Sequence, residues 1–97
     1  MNERVRLDLN FPDFQAQLFS LDVNELKPIF KTFKKLLGMT WAEVYRDSGL
    51  KWEEVKTRKG TYTIRVSRQC RAAVTRIGDA LCFKALHYDH NGAYGKK

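Results

Sequence analysis

The stretch from Gly60 to His90, GTYTIRVSRQCRAAVTRIGDALCFKALHYDH, leaves this chain few ways to fold. Tyr62, Ile64 and Val66 alternate with Thr63, Arg65 and Ser67, and Cys70, Ala72 and Val74 alternate with Arg71, Ala73 and Thr75. From Ala80 to Tyr88, Leu81, Phe83, Ala85 and His87 alternate with Cys82, Lys84, Leu86 and Tyr88. Period-two alternation sends one set of side chains to a buried face, so the pattern predicts three antiparallel strands. Gly78-Asp79, with glycine first, suits a type II′ hairpin turn between the second and third.

A slip of one residue would turn apolar side chains to the wrong face, so the pattern also sets the register. The Gly78-Asp79 turn pairs Ile77 with Ala80, Val74 with Phe83 and Arg71 with Leu86. A three-residue loop at Ser67-Gln69 pairs Val66 with Cys70, Ile64 with Ala72 and Tyr62 with Val74. A two-residue loop would set Val66 against Arg71, and it is rejected for that reason. Arg65 then lies opposite Arg71 and shares a face with Lys84. Like charges directly opposed across a ladder are destabilising, so this face calls for an anionic partner.

Upstream, Val5, Leu7 and Leu9 alternate with Arg4, Arg6 and Asp8 and predict a short strand in the same sheet. Phe11, Phe14, Leu18 and Leu21 recur at helical spacing, predicting a helix over about Asp13 to Ser20. Asp22 with Glu25 forms a capping box for a second helix, whose stripe is Leu26, Ile29, Phe30, Phe33, Leu36 and Leu37, with Lys27, Lys31, Lys34 and Lys35 on the other side. Gly38 stops it. Pro28 either sits inside this helix, where it removes one hydrogen bond, or in the first turn of a helix starting near Glu25. Thr40 with Glu43 opens a third, short helix, and Trp52 and Val55 anchor the segment that follows. The expected fold is α+β: a small antiparallel twisted sheet, an N-terminal strand plus a three-stranded meander, packed on two to three helices.

The 97 residues make one domain, 1–97, with a formal net charge of +7. That excess points to nucleic acid, an acidic protein, or both. No apolar run approaches the roughly 20 residues that span a bilayer, and the start MNERVRLDLN lacks the apolar core of a signal peptide. Two cysteines without metal-type spacing suggest free thiols in a cytoplasmic protein. Cys70 and Cys82 fall on opposite faces in this register, so no bridge between them is expected.

Lys56, Arg58 and Lys59 form a basic run leading into Gly60, at the mouth of the Arg65/Arg71 face. By alternation His87 points into the apolar face opposite Cys70, while Tyr88 and His90 join Arg65, Arg71 and Lys84. No complete metal-ligand set is visible, and no cofactor is implied. An imidazole titrating near neutrality, fixed cations and phenols suit acid–base work on a phosphate and stacking on unpaired bases. Together they suit metal-free cleavage of single-stranded RNA by its own 2′-hydroxyl.

With G-x-Y-x-x-R at Gly60, Tyr62 and Arg65, Arg71 ahead of the hairpin turn, and the ending His90-x-x-x-Tyr94, the chain resembles the RelE/ParE toxin superfamily over roughly Leu26 to Tyr94. It departs from that pattern at Cys70, where members often carry an aromatic residue. The resemblance implies a toxin of a type II toxin–antitoxin pair, bound by an acidic antitoxin in a hetero-oligomer and acting on mRNA at the ribosome. It assigns Arg71 to the scissile phosphate, Arg65 to the neighbouring basic position, His90 to general acid and Tyr94 to base stacking. Glu54, Lys56 and Lys59 are the candidate bases, and Lys56, Arg58, Lys59, Lys84 and Tyr88 the RNA-binding set. The alternatives are a ParE-like inhibitor of DNA gyrase and a basic RNA-binding module without catalysis.

Overall fold

The computed structural model describes residues 3–88. Elements follow in the order β1 (Arg6–Asp8), α1 (Pro12–Phe19), α2 (Val23–Leu37), α3 (Trp41–Arg46), β2 (Glu53–Glu54), β3 (Tyr62–Ser67), β4 (Cys70–Ile77) and β5 (Ala80–Tyr88). The strands form one sheet in the order β1-β5-β4-β3-β2. The meander is antiparallel, as its alternation requires, and β1 joins it through a parallel pairing of Arg6–Asp8 with Ala80–Cys82. Three helices separate β1 from the meander, which is the long connection that a parallel neighbour needs. The two-residue β2, pairing Glu53 with Thr63 and Glu54 with Tyr62, was not foreseen.

Local chemistry explains the helices. Pro12 opens α1 at its first turn, where a missing N–H costs nothing. Both capping boxes form: the Asp22 carboxylate accepts from Glu25 N and Glu25 Oε1 from Asp22 N, and Thr40 and Glu43 repeat the exchange for α3. Because α2 begins at Val23, Pro28 lies in its interior, the first of the two placements. The helix tolerates this because Ile29, Phe33 and Leu36 are buried and hold it against the sheet.

The core fills the space between the helices and one face of the sheet. Phe83 of β5 sits at its centre, with Phe14 of α1 at 5.3 Å and Phe33 of α2 at 5.2 Å between ring centroids. Ile64, Val66, Cys70, Ala72, Val74 and Leu81 line the sheet side. On the far side of the core Trp41, Tyr45, Trp52 and Tyr62 form a row of rings 4.6 to 5.7 Å apart. The Arg76 guanidinium lies 4.2 Å over Trp41. The other face of the sheet is left without a covering layer of helices and carries the polar side chains.

The registers hold where large apolar residues oppose each other and shift at two bulges. Tyr62–Val74, Ile64–Ala72, Arg65–Arg71, Val74–Phe83 and Ile77–Ala80 pair as expected. The β3–β4 loop has the two residues that alternation alone rejects, with Ser67 opposite Cys70. A bulge between Arg65 and Ser67 absorbs the extra Val66, which keeps it buried and still leaves Arg65 facing Arg71. The second bulge, between Val74–Phe83 and Ala73–Ala85, inserts Lys84 and moves every later pair by one. Arg71 therefore faces His87 and not Leu86, and Leu86, opposite Ala72, is buried.

Candidate active site

Once the core face is filled, the remaining parity of each strand defines the open face. Glu53 of β2, Thr63 and Arg65 of β3, and Arg71, Ala73 and Thr75 of β4 carry it across the sheet. On β5 the Lys84 bulge reverses the phase, so that Lys84, Ala85 and His87 share the face. Phe11, Asp13, Ala16 and Gln17 of the α1 segment form one wall of the resulting concavity, and Arg58 and Thr61 of the β2–β3 connection form the other. Its volume is about 750 Å³, open to solvent.

Two devices hold its walls. The β2–β3 connection folds back through Val55 N donating to Thr61 O at 2.8 Å and Arg58 N donating to Val55 O at 3.0 Å. Gly60, at φ +84°, supplies a turn that a side chain would strain, and its N–H donates to Glu54 Oε2 at 3.2 Å. On the opposite wall Gln17 satisfies the β5 backbone where β1 no longer pairs with it. Gln17 Oε1 accepts from Leu86 N at 2.8 Å and Gln17 Nε2 donates to Leu86 O at 3.2 Å. That clamp closes an otherwise bare strand edge and fixes the backbone beside His87.

Beside the concavity on the same face, Arg71 Nη2 donates to Thr63 Oγ1 at 3.2 Å and lies 3.4 Å from Glu53 Oε1. The Arg71 side chain is 25% exposed and that of Glu53 60%, so this is an accessible ion pair that a competing anion can open. Arg65, directly opposite Arg71, is exposed, and its side chain has no ion-pair partner among the described residues. The expected clash of two arginines is thus relieved for one of them by Glu53. Lys84 Nζ sits 4.8 Å over the Phe11 ring at the other end of the concavity.

The expected site residues separate into groups. Arg65, Arg71, Lys84 and Arg58 come to the open face, the last three in or beside the concavity. Lys56 and Lys59 are exposed on the same connection as Arg58 but do not line it. Tyr88 is on the other side of the sheet, opposite Cys70 and packed against the core, contrary to the expectation. Burial raises its phenol pKa. His87, expected in the core, is exposed and lines the concavity. The Lys84 bulge causes both corrections. The sequence carries its trace, since the large apolar residues fall at Leu81, Phe83 and Leu86, a break of phase that strict alternation missed. Glu54, a candidate base, is occupied by Gly60 N, while Glu53, not singled out from sequence, is the carboxylate beside Arg71. His90 and Tyr94 lie outside the described residues.

Cys70 and Cys82 are free and buried. Burial pushes the Cys70 thiol up to about 11. No helix among the described residues is long and apolar enough to cross a membrane.

The element order and the mixed five-stranded sheet with three helices define an α+β fold shared with solved structures of YoeB. Among solved structures, the chain is similar to the YoeB dimer from Staphylococcus aureus, at 20% identity and a TM-score of 0.58, over 90% of this chain and 99% of that one. It is similar over the same shares to the heterotetrameric YoeB–YefM toxin–antitoxin complex from Staphylococcus aureus, at 20% identity and a TM-score of 0.57. A further YoeB–YefM complex from that organism gives 19% and 0.54. No family model matches the sequence, and no curated protein matches it.

Proposed function

We propose that this protein is the toxin of a type II toxin–antitoxin pair, a ribosome-associated endoribonuclease that cleaves mRNA by 2′-hydroxyl attack without a metal. One observation carries the reading: on a YoeB-like fold, a carboxylate, a guanidinium and an imidazole from three strands share the open face. Glu53 and His87 stand on strands three spacings apart, about 14 Å, with Arg71 between them and directly opposite His87. A base and an acid on either side of a phosphate-binding cation is the layout that an in-line displacement needs.

In this reading Arg71 exchanges Glu53 for the scissile phosphate, which frees the carboxylate to accept the proton of the 2′-hydroxyl. The O2′–P bond forms as the P–O5′ bond breaks, and Arg71 and Arg65 stabilise the charge on the phosphorane oxygens. His87, as imidazolium, donates its proton to the departing O5′. The products are a 2′,3′-cyclic phosphate and a 5′-hydroxyl. Arg58 and Lys84 hold flanking phosphates, and Lys56 and Lys59 add to the attraction. His90 is the alternative acid and Tyr94 the stacking ring that the family resemblance supplies. An acidic antitoxin covering this basic face accounts for its unopposed charge.

The test is induced expression in a bacterial host of wild type, Arg71→Ala, His87→Ala and His90→Ala, with 5′-end mapping of cellular mRNA. Growth arrest with new mRNA ends, lost in Arg71→Ala and in one histidine variant, supports the reading and names the acid. Arrest without new mRNA ends transfers the reading to a gyrase-type toxin.

A further inference from the structure

The segment leading into α1 breaks a local rule that the other two helices obey. Asp22 and Thr40 cap α2 and α3 with their side chains, but the N-cap position of α1 is held by Phe11, which offers no side-chain cap. Serine, threonine, aspartate and asparagine are preferred there because their oxygens accept from the first turn. Nor does the Phe11 ring join the core, since it is 39% exposed. Exposed apolar side chains are ordinary, but departures from local rules gather at functional sites.

Phe11 is fixed where it stands. Asn10 N donates to Asp8 Oδ1 at 3.0 Å, Gln15 Nε2 to Leu9 O at 2.6 Å and Gln15 N to Phe11 O at 3.0 Å. The ring borders both the concavity and a second hollow of about 260 Å³, whose lining includes Asn10 and the exposed Ile77. Lys84 borders both as well. Its ammonium lies 4.8 Å over the Phe11 ring, and none of the ion pairs among the described residues engages it.

We propose that Phe11 is a stacking platform for an unpaired base of the bound RNA, with Lys84 holding the adjoining phosphate. The inference rests on the reading of the open face as an RNA site and adds a nucleotide subsite to it, away from the reacting bond. Lys84 stands three residues before His87 on β5, about 10 Å along the strand at 3.3 Å per residue. An RNA strand leaving the Arg71–His87 pair along β5 therefore reaches Phe11. Every base has a π-face that an aromatic ring can stack on, and a lysine on its flexible stem can follow the phosphate. A cation over a ring at an exposed site is weakly held, so a phosphate draws Lys84 away and uncovers the ring. The Asn10 amide, donor and acceptor both, can meet the edge of any base in the hollow. A carboxylate-rich peptide would satisfy Lys84 alone. An occupant carrying both a phosphate and a planar ring uses the pair.

The test measures binding of the full chain, by fluorescence anisotropy, to two 2′-O-methyl strands of about ten nucleotides. One is oligouridine and the other is its fully abasic counterpart, and neither can undergo 2′-hydroxyl attack. Wild type is expected to bind the uridine strand about tenfold tighter than the abasic one. Phe11→Ala and Phe11→Leu are expected to remove most of that difference while leaving the abasic affinity unchanged, and Phe11→Trp to keep it. Lys84→Ala should weaken both strands and flatten the logarithmic salt dependence by about 0.7. Circular dichroism checks folding, and Phe11→Leu, which keeps apolar bulk, carries the test if Phe11→Ala does not fold. Equal affinity of wild type for the two strands, or a Phe11 effect that is absent or the same on both, overturns the subsite. If the uridine strand still depends on Arg71, the RNA reading of the face survives that result. Binding of neither strand overturns both, and so does Phe11-dependent binding of polyglutamate tighter than of either strand.

Discussion

Gln17→Ala is the substitution that most directly probes how the fold sets the site. Gln17 alone among the described side chains bonds both backbone groups of Leu86, accepting from the N–H at 2.8 Å and donating to the carbonyl at 3.2 Å. Removing it leaves two partly buried groups on an uncovered strand edge. At a net 0.5–1.5 kcal/mol for each bond, with the orphaned groups adding to the upper end, the loss is about 2 kcal/mol. For a domain of this size that lowers Tm by roughly 8–16 °C. Urea denaturation should show a lower midpoint at unchanged slope, and the Leu86 amide should lose its hydrogen-exchange protection. Because Leu86 precedes His87, the nuclease proposed above would lose RNA cleavage in the same variant while its core stays folded. A loss below about 0.5 kcal/mol, with Leu86 still protected, would refute the clamp and the account of how β5 is held past its bulge.

Two further outcomes follow from titrating groups. The Cys70 thiol, raised by burial to about 11, is about one part in a thousand thiolate at pH 8. Cys82, also buried, is likewise raised by burial. Neither thiol should react with Ellman's reagent at pH 8 until denaturant is added, and a fast-reacting native thiol would contradict the packing. At Asp47, burial pushes the carboxyl upward, but the Leu50 N–H at 2.9 Å and the Lys35 ammonium outweigh it and hold the carboxyl below its usual range. A depressed folded value stabilises the native state above the unfolded pKa of about 3.9 and is lost as pH falls through the folded value. Asp47→Asn should therefore cost on the order of 1 kcal/mol at pH 7, discounted for the half-exposed Lys35. That deficit should shrink as the pH falls below the unfolded carboxylate range, and a constant difference across the range would contradict the assignment.

Much of the fold was legible because large apolar side chains mark a strand's buried face. Tyr62, Ile64, Val74 and Phe83 fixed the centre of the meander, and the two capping boxes fixed the starts of α2 and α3. The bulges were harder to see. At Val66 a bulge lets a two-residue loop and an apolar pairing coexist, so excluding the loop on one mismatch failed. At Lys84 the phase break between Phe83 and Leu86 was present, but Ala85 is small enough to suit either face, and the unbroken alternation hid it. The error fell on the site, exchanging His87 and Tyr88 between faces. The direction of β1 was not encoded in three alternating residues, and Glu53 became visible only once β2 paired with Thr63. Charge and parity alone placed Arg65, Arg71 and Lys84 on the open face, with the Arg58 run beside it.

The most direct test of the central claim is the chemistry of RNA ends left by the purified protein on ribosomes carrying a defined mRNA, with Glu53→Gln beside wild type. The account predicts 2′,3′-cyclic phosphate and 5′-hydroxyl ends from wild type and a fall of at least a hundredfold in rate for a folded Glu53→Gln. Cleavage that leaves 3′-hydroxyl ends, or that survives Glu53→Gln at full rate, would contradict it.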